Sequence, residues 1–172
     1  MNKSMKSLNE NIILLYDKWK ENYVRKENSI RMRLDNFLSN RKDRHADKYH
    51  ISEDGKYVDC DESIIIGDSD LINGKFPFPF GKVKGDFNCS GCKTLVSFDG
   101  APTKCFRFNC SNCTNLTSLD ELEMDATECI KFDCSYCSKL TSLKGAPTKI
   151  GGYFCCNFCA PLTSLEGAPR TV

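Results

Sequence analysis

One short phrase is written four times in the last ninety residues, and it constrains the fold more than anything else in the chain. The copies are Phe87-Asn88-Cys89-Ser90-Gly91-Cys92, Phe108-Asn109-Cys110-Ser111-Asn112-Cys113, Phe132-Asp133-Cys134-Ser135-Tyr136-Cys137 and Phe154-Cys155-Cys156-Asn157-Phe158-Cys159. Each runs on into a Leu-x-x-Leu or Leu-x-x-Phe phrase: Leu95/Phe98, Leu116/Leu119, Leu140/Leu143 and Leu162/Leu165. The first aligned cysteines stand 21, 24 and 22 residues apart (89 to 110, 110 to 134, 134 to 156). Three copies close on Gly-Ala-Pro, at 100–102, 145–147 and 167–169. The second has Asp120-Glu121-Leu122-Glu123-Met124-Asp125-Ala126 there, which accounts for its longer step. A fixed period in the low twenties is the mark of a solenoid.

Within each copy the apolar frame is Phe-x-Cys-x-x-Cys-x-x-Leu-x-x-Leu/Phe. This is the leucine-rich-repeat pattern, with the second cysteine at the place usually held by Asn or Cys. Phe and the first Cys alternate along a short strand, so both point to one face. Gly-Ala-Pro ends each coil, because Gly permits a tight bend and Pro withholds a donor. No coil buries its own apolar edge, so neighbours must stack. The expected fold is α+β: an N-terminal helical segment (1–48), then a leucine-rich-repeat β-solenoid (49–172). The solenoid divides into an irregular entry coil (49–82) and the repeats (83–172).

In the N-terminal segment, Leu8, Ile12, Leu15, Trp19 and Tyr23 recur at helical spacing, predicting a helix over 7–27 with Ser7 and Glu10 as a capping box. A second helix is expected over 29–39, with Ile30, Leu34, Phe37 and Leu38 on one side. The two make either a cap on the first repeat, which an open solenoid end needs, or a helical pair of their own. The basic cluster Arg41-Lys42-Asp43-Arg44-His45 reads as a solvated helix end, with Arg41, Lys42 and Arg44 as candidate contacts to an acidic partner or phosphate. Asp54-Gly55 predicts a hairpin turn, Tyr57–Cys60 and Ser63–Ile66 strands. Phe76-Pro77-Phe78-Pro79-Phe80 reads as core beneath the cap, or else as a docking patch.

The net charge of +1 gives no global signal for nucleic acid or membrane. Its distribution is uneven: residues 1–48 carry 12 Lys/Arg against 7 Asp/Glu, residues 49–81 carry 2 against 7, and residues 82–172 carry 10 against 9. The N-terminal excess leaves nucleic-acid contact through the helices as a third reading. The apolar run Ile12–Tyr16 is too short for a secretion signal and nothing reaches membrane-spanning length, so a reducing, cytoplasmic setting is expected for the twelve cysteines.

Two adjacent C-x-x-C pairs also fit a zinc spacing. All four lie inside the same Phe…Leu frame, however, and stacked strands turn each column into a parallel ladder rather than a converging ligand set. They read as core thiols, with a metal- or redox-responsive role and disulfides as rivals; no metal or cofactor is expected. Cys105 and Cys129 form a further ladder, while Cys155 is expected to face solvent.

Strand alternation sends one set of residues outward in rungs: Asp86, Arg107, Lys131, Tyr153; then Asn88, Asn109, Asp133, Cys155; then Ser90, Ser111, Ser135, Asn157. This mixed-charge surface is the candidate binding face. No nucleophile stands beside a base, so no catalytic constellation is found and no enzyme is expected. The last coil carries no capping element after it, which predicts end-to-end homodimers or a partner covering that face.

The phrase Leu-Thr-Ser-Leu-x-Gly-Ala-Pro, followed by Lys/Arg and a strand Phe-Asn/Asp-Cys-Ser, resembles the short leucine-rich-repeat proteins of tailed bacteriophages. The entry segment is similar too, with Ser52-Glu53-Asp54-Gly55, Val58-Asp59 and Phe80-Gly81-Lys82-Val83. The likeness covers about 50–172, and Cys stands where that family usually has the second Asn of Asn-Asn. The resemblance implies a phage protein in a bacterial host. Recognition of a host protein, one of its defences among the candidates, is the function expected. A weaker resemblance is to bacterial type III effector ligases, whose catalytic cysteine domain follows their repeats; none is read after Leu165 here, so ligase activity is not expected.

Overall fold

In the computed structural model, residues 3–41, 46–125 and 129–170 are described. One helix, α1 (Lys3–Ser39), is followed by eight short strands: β1 (Tyr49–Ile51), β2 (Val58–Cys60), β3 (Ile64–Ile65), β4 (Phe80–Val83), β5 (Asp86–Asn88), β6 (Arg107–Asn109), β7 (Lys131–Asp133) and β8 (Tyr153–Cys155). The architecture is α+β, a helical segment leading into a β-solenoid.

The repeats stack as expected. Strands β3-β5-β6-β7-β8 form one parallel sheet, and equivalent residues pair in register: Asp86 with Arg107 with Lys131 with Tyr153, and Phe87 with Phe108 with Phe132 with Phe154. Only three residues per coil are strand, yet the ladder continues beyond them. The Cys89 N–H donates to the Asn109 carbonyl and the Gly91 N–H to that of Ser111, both at 2.8 Å, and the next coils repeat this. The phenylalanines form a continuous stack in the core. Ring centroids are 5.4, 5.1 and 5.7 Å apart, with planes within 19° of parallel. Leu95, Leu116, Leu119, Leu140 and Leu143 close the core behind them.

The corner after each strand needs a left-handed residue, at Gly91 (φ 76°), Asn112 (φ 58°), Tyr136 (φ 60°) and Phe158 (φ 57°). The Gly of Gly-Ala-Pro serves a second such corner. A Cβ on Gly145 (φ 91°) would drive into the Leu119 carbonyl oxygen. The copy lacking that phrase puts Glu121 (φ 71°) there instead, and the Glu121 carboxylate accepts a hydrogen bond from Ser97.

The entry segment folds as read at its turn: β1 and β2 form an antiparallel hairpin around Asp54-Gly55, and β2 then pairs in parallel with β4. Phe76, Phe78 and Phe80 are buried, packing against Phe37 and Phe87. The Phe-Pro stretch is core, not a docking patch.

The N-terminus differs from expectation. The two helices read over 7–27 and 29–39 run as one, and Ser7 lies inside it rather than at its cap. Nothing at 28 breaks the helix, since neither Gly nor Pro occurs there. Only its last turns cover the solenoid: Ile30, Leu34 and Phe37 are buried in the common core. Ile12, Leu15 and Trp19, expected on the same packing face, are 56, 67 and 59% exposed.

Candidate functional site

The outward rungs line a cleft of about 700 Å3 on the sheet face, walled by Asp86, Asn88, Arg107, Asn109, Lys131 and Tyr153, with Ile65 and Cys155 at its two ends. The parallel register brings the first rung together side by side. Its cations are engaged: the Arg107 guanidinium lies 3.6 Å from the Asp86 carboxylate and 5.5 Å over the Phe106 ring, and Lys131 is 3.3 Å from Asp133. At these exposures such pairs contribute little to stability and exchange readily for a ligand's charges.

The second rung has a local duty that the strand alternation does not reveal. Asn88, Asn109 and Asp133 each accept, through Oδ1, the backbone N–H two residues on, at 3.0, 3.0 and 3.1 Å. These Asx turns steer the chain off the strand. Because an N–H is the donor, the accepting atom must be oxygen, which leaves the Nδ2 donors of Asn88 and Asn109 for other partners. Of the third rung, Ser135 is buried, and its hydroxyl accepts the Asn157 N–H at 3.2 Å. Wall residues missed in the rungs include Ser63, Ile65 and Ile130. Ile64 and Ile66 are buried while Ile65 is 65% exposed, so the strand alternation within Ser63–Ile66 carried the signal.

Arg41 does not belong to this face as a free contact. It pairs with Asp70 at 3.1 Å, donates to the Ile65 carbonyl at 2.6 Å and stacks over Phe37 at 4.8 Å. It ties the helix end to β3. Its companions Lys42 and Arg44, with Asp43 and His45, lie outside the described residues.

The cysteines line the interior. The second thiol of each C-x-x-C donates to a carbonyl of the preceding coil: Cys92 to Ile66, Cys113 to Cys89, Cys137 to Cys110 and Cys159 to Cys134, at 3.2–3.3 Å. A thiol serves here as the inward donor that bridges successive coils. Burial pushes the Cys92 and Cys137 thiols up to about 12, and raises Cys89, Cys110 and Cys134 as well. A thiol held as S–H is a poor nucleophile and a poor metal ligand. Among the described residues no three His, Cys, Asp or Glu side chains converge on a metal position. Cys155 lines the outward cleft and is partly exposed, and Cys60 is fully buried on β2.

Among the described residues, the only imidazole lies elsewhere: His50 is 3.1 Å from Asp61, which also pairs with Lys84 at 2.8 Å. No described helix is long and apolar enough to cross a membrane. At the far end of the solenoid β8 is the edge strand, with Phe158 73% and Leu165 68% exposed. No family model, curated protein or solved structure matches the chain. What fold and face define is a β-solenoid with a cysteine-laddered core and a mixed-charge cleft on its sheet.

Proposed function

We propose that this is a non-enzymatic recognition module of the leucine-rich-repeat kind, phage-encoded and acting in the bacterial cytoplasm, that grips a host protein through its sheet face. The observation that carries the reading is the cleft. Four parallel strands set Asp86, Arg107, Lys131 and Tyr153 in one row at the roughly 4.8 Å strand spacing, beside the Asn88 and Asn109 amides. Charges of both signs, amide donors and an aromatic at one end, on a backbone that need not move, suit a protein surface better than a small molecule. The phage setting rests on the repeat phrase, and the reducing compartment on twelve free thiols. The test is affinity capture from host lysate with the wild type and with Arg107→Glu/Lys131→Glu/Tyr153→Ala. A host protein retained by the wild type alone supports the reading. Equal retention by both, or none by either, refutes the sheet face as the recognition surface.

A further inference from the structure

The Asx turns leave the middle of the cleft rich in donors. The Oδ1 atoms of Asn88, Asn109 and Asp133 accept backbone N–H groups at 3.0–3.1 Å, and each asparagine keeps its Nδ2 donors unused. Beside them stand the cations of the first rung, Arg107 and Lys131, with side chains 51 and 41% exposed. Their ion pairs are loose: 3.6 Å to Asp86 and 3.3 Å to Asp133, against 2.8, 3.0 and 3.1 Å for Lys84–Asp61, Lys75–Asp99 and Arg41–Asp70. Among the described residues neither cation closes a hydrogen bond within the chain. Donors and weakly held positive charge therefore meet at one place.

We infer, on the footing that the sheet face is the recognition surface, that its middle is a carboxylate site: one Asp or Glu side chain of the protein partner lies between Arg107 and Lys131. Arg107 and Lys131 are neighbours in register at the roughly 4.8 Å strand spacing, so a single carboxylate accepts from both, with the Asn109 amide as a third donor. Hydrogen bonds to an ionised acceptor are roughly twice as strong as neutral ones, and giving up such long, exposed ion pairs costs little.

The surroundings decide what carries the carboxylate. Ile65, 65% exposed, closes one end of the cleft and Tyr153, 70% exposed, the other. One carboxylate between apolar neighbours matches this arrangement. A phosphate backbone does not, because it would bring further negative charges past Asp86 and Asp133.

The register also sets a spacing. From the point between Arg107 and Lys131, Tyr153 lies one and a half strand steps away, about 7 Å. Ile65 lies two and a half steps away on the second rung, about 13 Å. An extended segment crossing the strands rises about 3.3 Å per residue, which makes these distances about two and four residues. Both counts are even, so all three side chains of such a segment face the sheet. The partner segment is an acidic residue with one apolar residue two positions to one side and another four positions to the other.

A displayed library of random heptapeptides, selected on the whole chain, tests this. The tightest binder is then synthesised with a fluorescent label and followed by anisotropy. Enrichment of that spacing is expected. Asn109→Asp keeps the oxygen that the Ser111 N–H needs, as Asp133 does for Ser135, but turns the donor into an anion. It should weaken the peptide at least about tenfold. Asp133→Asn also keeps its turn, adds a donor and frees Lys131, so it should tighten the peptide. Neither should move the thermal melt. Selected peptides without an acidic residue, an unchanged affinity in Asn109→Asp, or no selected peptide at all would overturn the carboxylate site. So would a single-stranded RNA dodecamer that displaces the labelled peptide at lower concentration than the unlabelled peptide does. The sheet face is judged separately: peptide binding that survives Arg107→Glu/Lys131→Glu/Tyr153→Ala refutes the recognition surface itself, whereas binding lost in that variant but showing no acidic preference refutes the carboxylate site alone.

Discussion

Truncating the phenylalanine stack at its middle and at its end should have very different costs. Phe108 is fully buried, stacked on Phe87 at 5.4 Å and Phe132 at 5.1 Å, with Phe98 edge-on at 5.6 Å. Phe154 is only partly buried and stacks on one ring, Phe132, at 5.7 Å. Phe108→Ala removes a ring from a closed site that cannot collapse without parting two coils, so it should cost about 3–5 kcal/mol. Phe154→Ala opens a site already half in water and loses one stack, so roughly 1–2 kcal/mol is expected. Phe108→Leu keeps most of the volume and should cost about 1.5 kcal/mol. In urea unfolding followed by far-ultraviolet circular dichroism, an m-value of about 2 kcal/mol/M turns the difference between the alanine variants into roughly 1–1.5 M in midpoint. Equal midpoints, or a larger loss for Phe154→Ala, would refute a single stack running through the coils whose central ring is held from both sides.

The thiol ladder makes stability sensitive to alkali. Cys92 and Cys137 hold their protons to about 12 in the fold against an ordinary value of 9.0, so above pH 9 the unfolded chain ionises first and the fold loses ground until about pH 12. Each such thiol contributes a loss of up to about 1.4 kcal/mol per pH unit; a urea midpoint that does not fall between pH 8.5 and 10.5 (roughly the onset of that window) would contradict this. Ten of the twelve cysteines are buried, and only Cys155 and Cys156 are partly open. Native labelling with a thiol reagent should therefore modify at most two quickly and all twelve after denaturation, while fast native reaction at a third site would break the ladder picture. Gly145→Ala should cost about 2–4 kcal/mol because its Cβ meets the Leu119 carbonyl, whereas Gly91→Ala, with open space around it, should cost about 1 kcal/mol for the left-handed backbone alone. Thermal melts that rank these two the other way would refute the coil-to-coil contact at Gly145.

The solenoid was legible because its information is local and periodic. Phe87, Phe108, Phe132 and Phe154 recur at coil spacing, and two-residue alternation decides which side chains face inward, so core and sheet face follow from spacing alone. Even Ile65 was within reach by that rule. The roles of side chains were not, because they depend on atoms from other coils. Asn88 and Asn109 stand in outward positions, yet each oxygen is taken by the next turn. The repeat frame made the C-x-x-C pairs readable as core thiols, but not the carbonyls of the preceding coil to which their second thiols donate.

Arg41 read as one cation of a basic cluster, and only the arrival of Asp70 and Ile65 made it a tie between helix and sheet. The helix draws the boundary most plainly. Its sequence writes Ile12, Tyr16, Trp19 and Ile30, Leu34, Phe37 in the same spacing on the same side, and pattern alone makes the two faces equivalent. One lies against Phe78 and Phe80 and is buried; the other stands about 27 Å further along the axis and is more than half exposed. Hydrophobic periodicity states that a face needs cover, and only the three-dimensional reach of the solenoid decides which stretch receives it.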